Sequence, residues 1–202
     1  DLIGARLRAQ LENEGVETNR LRFVDECTRE GIDALVREVV VSSAPTRPAV
    51  IGLGGGKTID TAKGVAQQLD AALVIAPTIA SNDSPTSRLI VLYDAKHRVL
   101  GVELLSRNPD LVLVDTAEIA RAPVRFFRAG MGDALSKKFE AAACMAAGGA
   151  NFHGGVAPLT AELFATQCYE LILRNGPGAV RAVQQGRCDQ HVEAVTEATV
   201  LW

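Results

Sequence analysis

Several signals for common protein classes are missing from this sequence. No apolar run approaches the roughly 20 residues that cross a bilayer, and the charged start DLIGARLRAQ has no secretory apolar region. Basic residues do not outnumber acidic ones: the net charge is −3, which gives no basic surface for nucleic acid. The four cysteines are scattered and form no CxxC pair, which favours reduced, mostly buried thiols; the alternative is an accidental or regulatory disulfide. We expect a cytoplasmic protein with reduced thiols that binds neither membrane nor nucleic acid.

The pattern that is present is an alternation of strands and helices. Residues 2–14 have helical spacing and end at Gly15, and a further helix is expected after Thr28. Short apolar runs predict individual strands at LRFVD, AVIGLG, ALVIAPT and PDLVLVDT. A hairpin is predicted where RLIVLYD is followed by RVLGVEL. This alternation predicts an α/β nucleotide-binding domain with a mainly parallel sheet, over residues 1–123.

After Pro123 the periodicity is only helical. Turns are predicted at GGANFHGG and at RNGPG, where Pro177 stands between glycines. The second domain is therefore an all-α helical domain over residues 124–202.

The glycine-rich stretch VIGLGGGKTIDTAK lies between a predicted strand and a predicted helix. Glycines let backbone amides approach an anion, and a helix N-terminus attracts negative charge. The spacing matches neither G-x-G-x-x-G nor G-x-x-x-x-G-K-[ST], because Ile51 stands where the second pattern needs glycine. We interpret the stretch as a phosphate-binding turn of a third kind; the alternative is a tight turn without a ligand.

Two further segments carry candidate polar residues. The loop APTIASNDSPTS follows a strand end, where ligands bind in open α/β sheets, and Asp83 is its only carboxylate; the alternative is a plain polar turn. Asp133 follows a Gly-x-Gly and is expected at a helix start, either as an acidic cap or as a metal ligand. Lys63 is expected to be solvated or ion-paired. The histidines, none at ligand spacing from another, are interpreted as surface or structural residues: His97, His153 and His191.

Five segments in order, GLGGGKTIDTAK, IAPTIASNDSPTS, NPDLVLVDT, APVRFFRAGMGDALS and FEAAAC, resemble the glycerol dehydrogenases. These form the metal-dependent polyol branch of the iron-containing alcohol dehydrogenase superfamily. The resemblance implies oxidation of glycerol or a related vicinal diol at the secondary hydroxyl, with NAD and Zn²⁺. It also implies a cytoplasmic homo-oligomer whose active site lies between the two domains.

The resemblance assigns roles to individual residues. Asp83 contacts the polyol, and Asp133 is the first zinc ligand, which makes a ligand the preferred interpretation of that residue. The cofactor's pyrophosphate is held by Gly55, Gly56 and Lys57. The rest of the NAD site is lined by Thr78, Ser87, Leu89 and Tyr93.

The sequence also departs from the family pattern. Two zinc-binding histidines are expected beyond residue 202, so the chain is interpreted as a fragment lacking both ends, with impaired turnover on its own. Asn82, Ser84 and Arg88 replace the usual threonine, alanine and small residue. Two alternatives stay open: an enzyme resembling glycerol-1-phosphate dehydrogenase, with Arg88 as the phosphate-binding candidate, and a non-catalytic nucleotide-binding remnant. NAD or NADP is not distinguished.

Overall fold

The first half of the computed structural model contains both strands and helices, and the structure describes residues 2–23, 25–42 and 48–201. The second half is helical, so the predicted fold class is confirmed. The domain boundary stays a prediction. In chain order the elements are α1 (Leu2–Asn13), α2 (Arg29–Ser42), β1 (Ala49–Gly54), α3 (Gly56–Gln68), β2 (Ala72–Pro77), β3 (Leu89–Tyr93), β4 (Val99–Leu104), β5 (Leu111–Val112), α4 (Thr116–Arg121), α5 (Val124–Ala146), α6 (Leu159–Gln184) and α7 (Gln190–Val200).

The described part of the α/β half contains two sheets. The first is parallel, in the order β1-β2-β5, and pairs Ala49 with Ala72 through Gly54 with Pro77. The second is the predicted hairpin, in which β3 and β4 run antiparallel with an irregularity at Leu92/Tyr93. Because the parallel strands end together, β1 and β2 deliver their following loops to the same edge of the sheet.

Helix α3 is the centre of the first core. Its predicted apolar face is buried, with Ile59 1% and Val65 3% exposed, and it packs against Ile32 of α2 and Ile75 of β2. At about 25 cal/mol per Å² of buried apolar surface, such side chains each stabilise the fold by roughly 2 kcal/mol. This packing fixes the N-terminus of α3 beside the ends of β1 and β2.

Helices α5, α6 and α7 form the second core, with Phe127, Cys168 and Val195 buried between them. The turn predicted at Pro177 is wrong, because Pro177 lies inside α6. A Cβ at Gly176 would lie 2.5 Å from Met131 of α5, and one at Gly178 would lie 2.7 Å from His191 of α7. These glycines therefore serve close helix packing rather than a turn. None of the helices in the described part combines the length and apolar character that crossing a bilayer requires.

The strand predicted at LRFVD is also wrong for its described residues. Leu21–Phe23 and Asp25 lie outside any strand. A cavity of about 340 Å³ separates this segment from β1, and Leu21, Phe23 and Val50 line it. No ladder forms because the backbone hydrogen bonds of a sheet require strands to lie within about 5 Å of each other.

Candidate active site

The turn between β1 and α3 forms a narrow backbone cradle. Gly55 precedes the first turn of α3, and its side-chain-free N-cap position leaves that helix end uncapped by any side chain of the described residues. A Cβ at Gly55 would lie 2.7 Å from Ile79 Cδ1, and one at Gly56 would lie 2.9 Å from Asn82 Nδ2. Only glycine lets the helix start pack against the loop that follows β2. The first amides of α3 have no partner within the helix and attract an anion, so the cradle fits a phosphate group.

Lys57 lies beside this cradle, and a buried carboxylate holds its side chain. Its Nζ forms an ion pair with Glu26, which is 7% exposed, and lies 5.4 Å from the centre of the Tyr93 ring. His97 Nδ1 lies 2.9 Å from the same carboxylate oxygen. The Lys57 ammonium lowers the pKa of Glu26, which keeps the pair ionised. The structure thus brings two predicted cofactor residues, Lys57 and Tyr93, close to each other beside Glu26. No local sequence pattern had indicated Glu26.

The loop of residues 78–88 links several parts of the molecule. At its start, the backbone N–H of Thr78 donates to Gly54 O over 3.0 Å, which ties the loop to the cradle. Near its end, Thr86 Oγ1 donates to Val200 O of α7 over 2.6 Å. The predicted cofactor residues outside the cradle lie on this loop and the strand after it: Thr78, Ser87, Leu89 and Tyr93.

Lys63 is buried under this loop. The side chain is 0% exposed, so the solvated alternative is wrong and the ion pair, with Asp60 Oδ1 at 3.1 Å, is confirmed. Burial lowers the pKa of Lys63, and Asp60 opposes that shift. A buried ammonium is tolerated only when its hydrogens all find acceptors, and here they reach side chains of the loop as well as Asp60.

Asp83 and Asp133 meet at a second lysine. Lys137 Nζ lies 3.5 Å from Asp83 Oδ2 and 3.9 Å from Asp133 Oδ2. Burial lowers the pKa of Lys137, but Asp83, Asp133 and Glu140 outweigh it and raise the pKa above its ordinary value. Burial raises the pKa of Asp133, and Lys137 opposes that shift. The predicted substrate and metal residues, far apart in the sequence, therefore share one ammonium that sequence reasoning missed.

Asp133 does not begin a helix, and its interpretation as an acidic cap is wrong. It lies inside α5, which begins at Val124. The preceding Gly-x-Gly is helical. A Cβ at Gly130 would press on the carbonyl oxygen of Ala80 and lie 2.6 Å from Thr199 Cγ2. Gly130 thus lets α5 pass close to the polar loop, and this approach brings Asp133 near Asp83.

The chain is similar to known proteins in sequence and in fold. A family model described as iron-containing alcohol dehydrogenase matches residues 3–116. The chain belongs to this family. It is 42% identical over 186 residues to a glycerol dehydrogenase of Thermotoga maritima, covering 92% of this chain and 50% of that protein. It is 37% identical over 201 residues to a glycolaldehyde reductase of Halobacterium salinarum, covering 100% and 54%.

A solved structure shows the same architecture. The crystal structure of glycerol dehydrogenase from Schizosaccharomyces pombe has a TM-score of 0.88 and 32% identity, covering 98% of this chain and 49% of that one. The chain spans about half the length of the relatives it matches.

Membership of the iron-containing alcohol dehydrogenase family implies a nicotinamide cofactor and a metal, and the residues fit these two groups unequally. The cradle fits a cofactor phosphate. For a metal, the described residues surround Asp133 with no group of three donors; the group found among them is Asp25, Glu26 and His97, with ligand atoms within 4.8 Å of one another. That group lies beside Lys57, whose ammonium already pairs with Glu26. Asp133 thus fits a single ligand position.

The other two histidines do not complete the set at Asp133. His191 Nδ1 lies 2.9 Å from Asn175 Oδ1, and His153 lies in an exposed loop. Both observations agree with the interpretation of these residues as structural or surface histidines.

Proposed function

We propose that this chain is part of an NAD-dependent dehydrogenase that oxidises glycerol or a related vicinal diol at the secondary hydroxyl. The observation that carries the proposal is the meeting of Asp83 and Asp133 at Lys137, beside a loop that also packs on the glycine cradle. The relatives named glycerol dehydrogenase support the substrate class.

The cofactor-binding part of the proposal rests on the cradle and its loop. Gly55 and Gly56 present backbone amides to the pyrophosphate, and Lys57 adds a positive charge. Thr78, Ser87, Leu89 and Tyr93 line the remaining cofactor surface.

The substrate part of the proposal rests on the carboxylates. Asp83 accepts a hydrogen bond from a polyol hydroxyl, and Asp133 contributes one ligand to a zinc ion. When bound, NAD accepts hydride, and a divalent metal acts as a Lewis acid that lowers the pKa of the alcohol. In the protein, Lys137 holds both carboxylates in place until a substrate or metal competes for them.

The full activity is proposed for the whole protein, since the chain spans about half the length of its relatives. A cytoplasmic homo-oligomer, as implied by the resemblance, belongs to the same proposal.

Cofactor binding is the step to test on this chain. We expect NADH, titrated by fluorescence, to bind the parent, and Lys57→Met to weaken binding by about tenfold or more, the size of a lost charged hydrogen bond. Lys96→Met is the matched control, because Lys96 is an exposed lysine in the β3–β4 turn. No NADH binding by the parent, or equal affinities for the two variants, would refute the cofactor assignment.

A substrate carrying a phosphate is a second candidate, and Arg88 rather than Lys137 favours it, because the two carboxylates around the Lys137 ammonium would repel a phosphate. Arg88, the phosphate-binding candidate from the sequence, has a buried Nε without a hydrogen-bond partner among the described residues. Comparing glycerol with glycerol phosphate as substrates of the whole protein separates the two candidates. The polyol proposal expects preference for glycerol, and Lys137→Met to leave that preference unchanged.

A further inference from the structure

The buried lysine of α3 makes more contacts with the polar loop than an ion pair requires. Lys63 Nζ lies 2.7 Å from Leu89 O, 3.3 Å from Ser87 Oγ and 3.4 Å from Ser84 Oγ, in addition to Asp60. These groups belong to the end of the loop and the start of β3. A single ammonium thus connects α3 to the segment that carries two predicted cofactor residues, Ser87 and Leu89.

Asp60, one turn earlier on α3, binds the same segment. Its Oδ1 accepts from Ser84 Oγ over 2.7 Å, and its Oδ2 accepts from the backbone N–H of Val91 over 3.0 Å. The pair therefore satisfies the Val91 N–H and the Leu89 carbonyl on the side of β3 that faces α3. Asp60 and Lys63 thus supply the hydrogen-bond partners that a neighbouring strand would supply along this stretch of β3.

The contact with Ser87 has a chemical consequence. An ammonium only donates, so the Ser87 oxygen accepts from Lys63. The hydroxyl hydrogen must then point away from Lys63. Ser87 is left as a donor, which suits the acceptor oxygens of a nucleotide ribose or phosphate.

We propose that Lys63 and Asp60 are positioning residues of the cofactor site: through Ser84, Ser87, Leu89 and Val91 they fix the loop and make Ser87 a hydrogen-bond donor to the dinucleotide. The proposal rests on the cofactor assignment made above. Neither residue touches the cofactor; both act through Ser87 and the backbone of β3.

The first test removes both buried charges together. In Asp60→Asn/Lys63→Met no unpaired charge is left, and we expect NADH binding to weaken by about three- to tenfold, the size of one lost hydrogen bond. Ile59→Val is the control, because it loosens the packing of the same helix without touching the pair. Its NADH affinity should equal that of the parent. An equal loss in both variants would show a general effect of stability and overturn the proposal.

The second test shows whether the pair acts through Ser87. Ser87→Ala should weaken NADH binding by about three- to tenfold, and Ser87→Thr, which keeps the hydroxyl, should retain the affinity of the parent. In the background of Asp60→Asn/Lys63→Met, Ser87→Ala should cause little further loss. Full affinity in Ser87→Ala, or additive losses in the combined variant, would overturn the proposal even if the double variant folds poorly.

The third test needs no cofactor. Hydrogen exchange measured by mass spectrometry should quicken in residues 83–91 of Asp60→Asn/Lys63→Met, while α7 and the β1–β2 region exchange as in the parent. Unchanged exchange in residues 83–91 would overturn the positioning role. Failure of the parent to bind NADH would instead refute the cofactor assignment, and with it the donor role of Ser87, whereas the exchange result still decides whether the pair fixes the loop.

Discussion

Two glycines of α5, two residues apart, should respond to the same substitution with opposite signs. Gly130 is buried, and an alanine there would press its Cβ on the Ala80 carbonyl oxygen and lie 2.6 Å from Thr199 Cγ2. Gly132 is exposed, and a Cβ there would meet no atom of the described residues within 4 Å. Both positions are helical, so the local preference of alanine over glycine is the same at each.

The magnitudes follow from two terms. Alanine in place of glycine inside a helix stabilises by up to about 1 kcal/mol. Overpacking costs typically 1–3 kcal/mol, and the upper end applies at Gly130 because the obstacle is a backbone oxygen. We therefore expect Gly132→Ala to gain about 1 kcal/mol and Gly130→Ala to lose about 2 kcal/mol, a difference of about 3 kcal/mol between the variants.

Thermal unfolding followed by circular dichroism measures this difference. For a chain of this size, 1 kcal/mol corresponds to about 2–4 °C, so the two Tm values should differ by about 6–12 °C. If Gly130→Ala were as stable as Gly132→Ala, α5 would not pack tightly against the loop at Ala80. The arrangement that brings Asp133 near Asp83 would then lose its explanation.

Three other predictions concern the cradle, the candidate metal ligand and a helix cap. Gly55→Val should weaken NADH binding by more than about tenfold, because its side chain would meet Ile79, while Gly101→Val, in open space, should bind like the parent; equal affinities would contradict the cradle. Burial raises the pKa of Asp133 above its ordinary value of 3.8, so the folded chain holds the carboxyl proton more tightly than the unfolded chain does. This carboxyl therefore destabilises the fold increasingly as the pH rises from below 3.8 through the pKa of the folded state. Asp133→Asn should therefore be more stable than the metal-free parent in urea unfolding at about pH 7, with an advantage that shrinks as the pH falls toward 3.8; a constant advantage would contradict the pKa shift. Asp189 caps α7 by accepting from the N–H groups of His191 and Val192, so Asp189→Ala should cost about 1 kcal/mol in urea unfolding and Asp189→Ser much less; equal losses would contradict the cap.

The α/β half was predictable because its elements are marked by local patterns. Helix α3 shows apolar spacing, and β1 and β2 are short apolar runs bounded by turn residues. The cradle was also visible, since glycines between a strand and a helix are a local signal. The fold class was predictable from these patterns together rather than from any single residue.

The errors in the helical half arose where glycine and proline have more than one physical use. Gly176 and Gly178 flank Pro177, a turn pattern, yet they let α6 pack against Met131 and His191. Close packing between helices leaves no mark in local sequence. The same applies to Gly130.

The lysines show a second limit. Lys63 and Asp60 are visible as neighbours one turn apart, but the burial of Lys63 depends on a loop that folds over it. Lys137 follows Asp133 by one turn, which a search for such pairs would find; its contact with Asp83 is tertiary. Glu26 has no local signal, because its partners Lys57 and His97 belong to later elements.

Loop 78–88 is hydrogen-bonded to the rest of the protein at both ends, and this matters for the design of chimeric proteins between family members. Its start is bonded to Gly54, its end to Lys63, and Thr86 to Val200. A chimera with its crossover between β2 and β3 would place the loop and at least one of these partners in blocks from different parents. A crossover in the exposed turn at residues 95–97 keeps the loop with Gly54 and Lys63. The bond to Val200 then joins residues of one parent only if α7 also comes from that parent. Segments distant in the chain must therefore be inherited together.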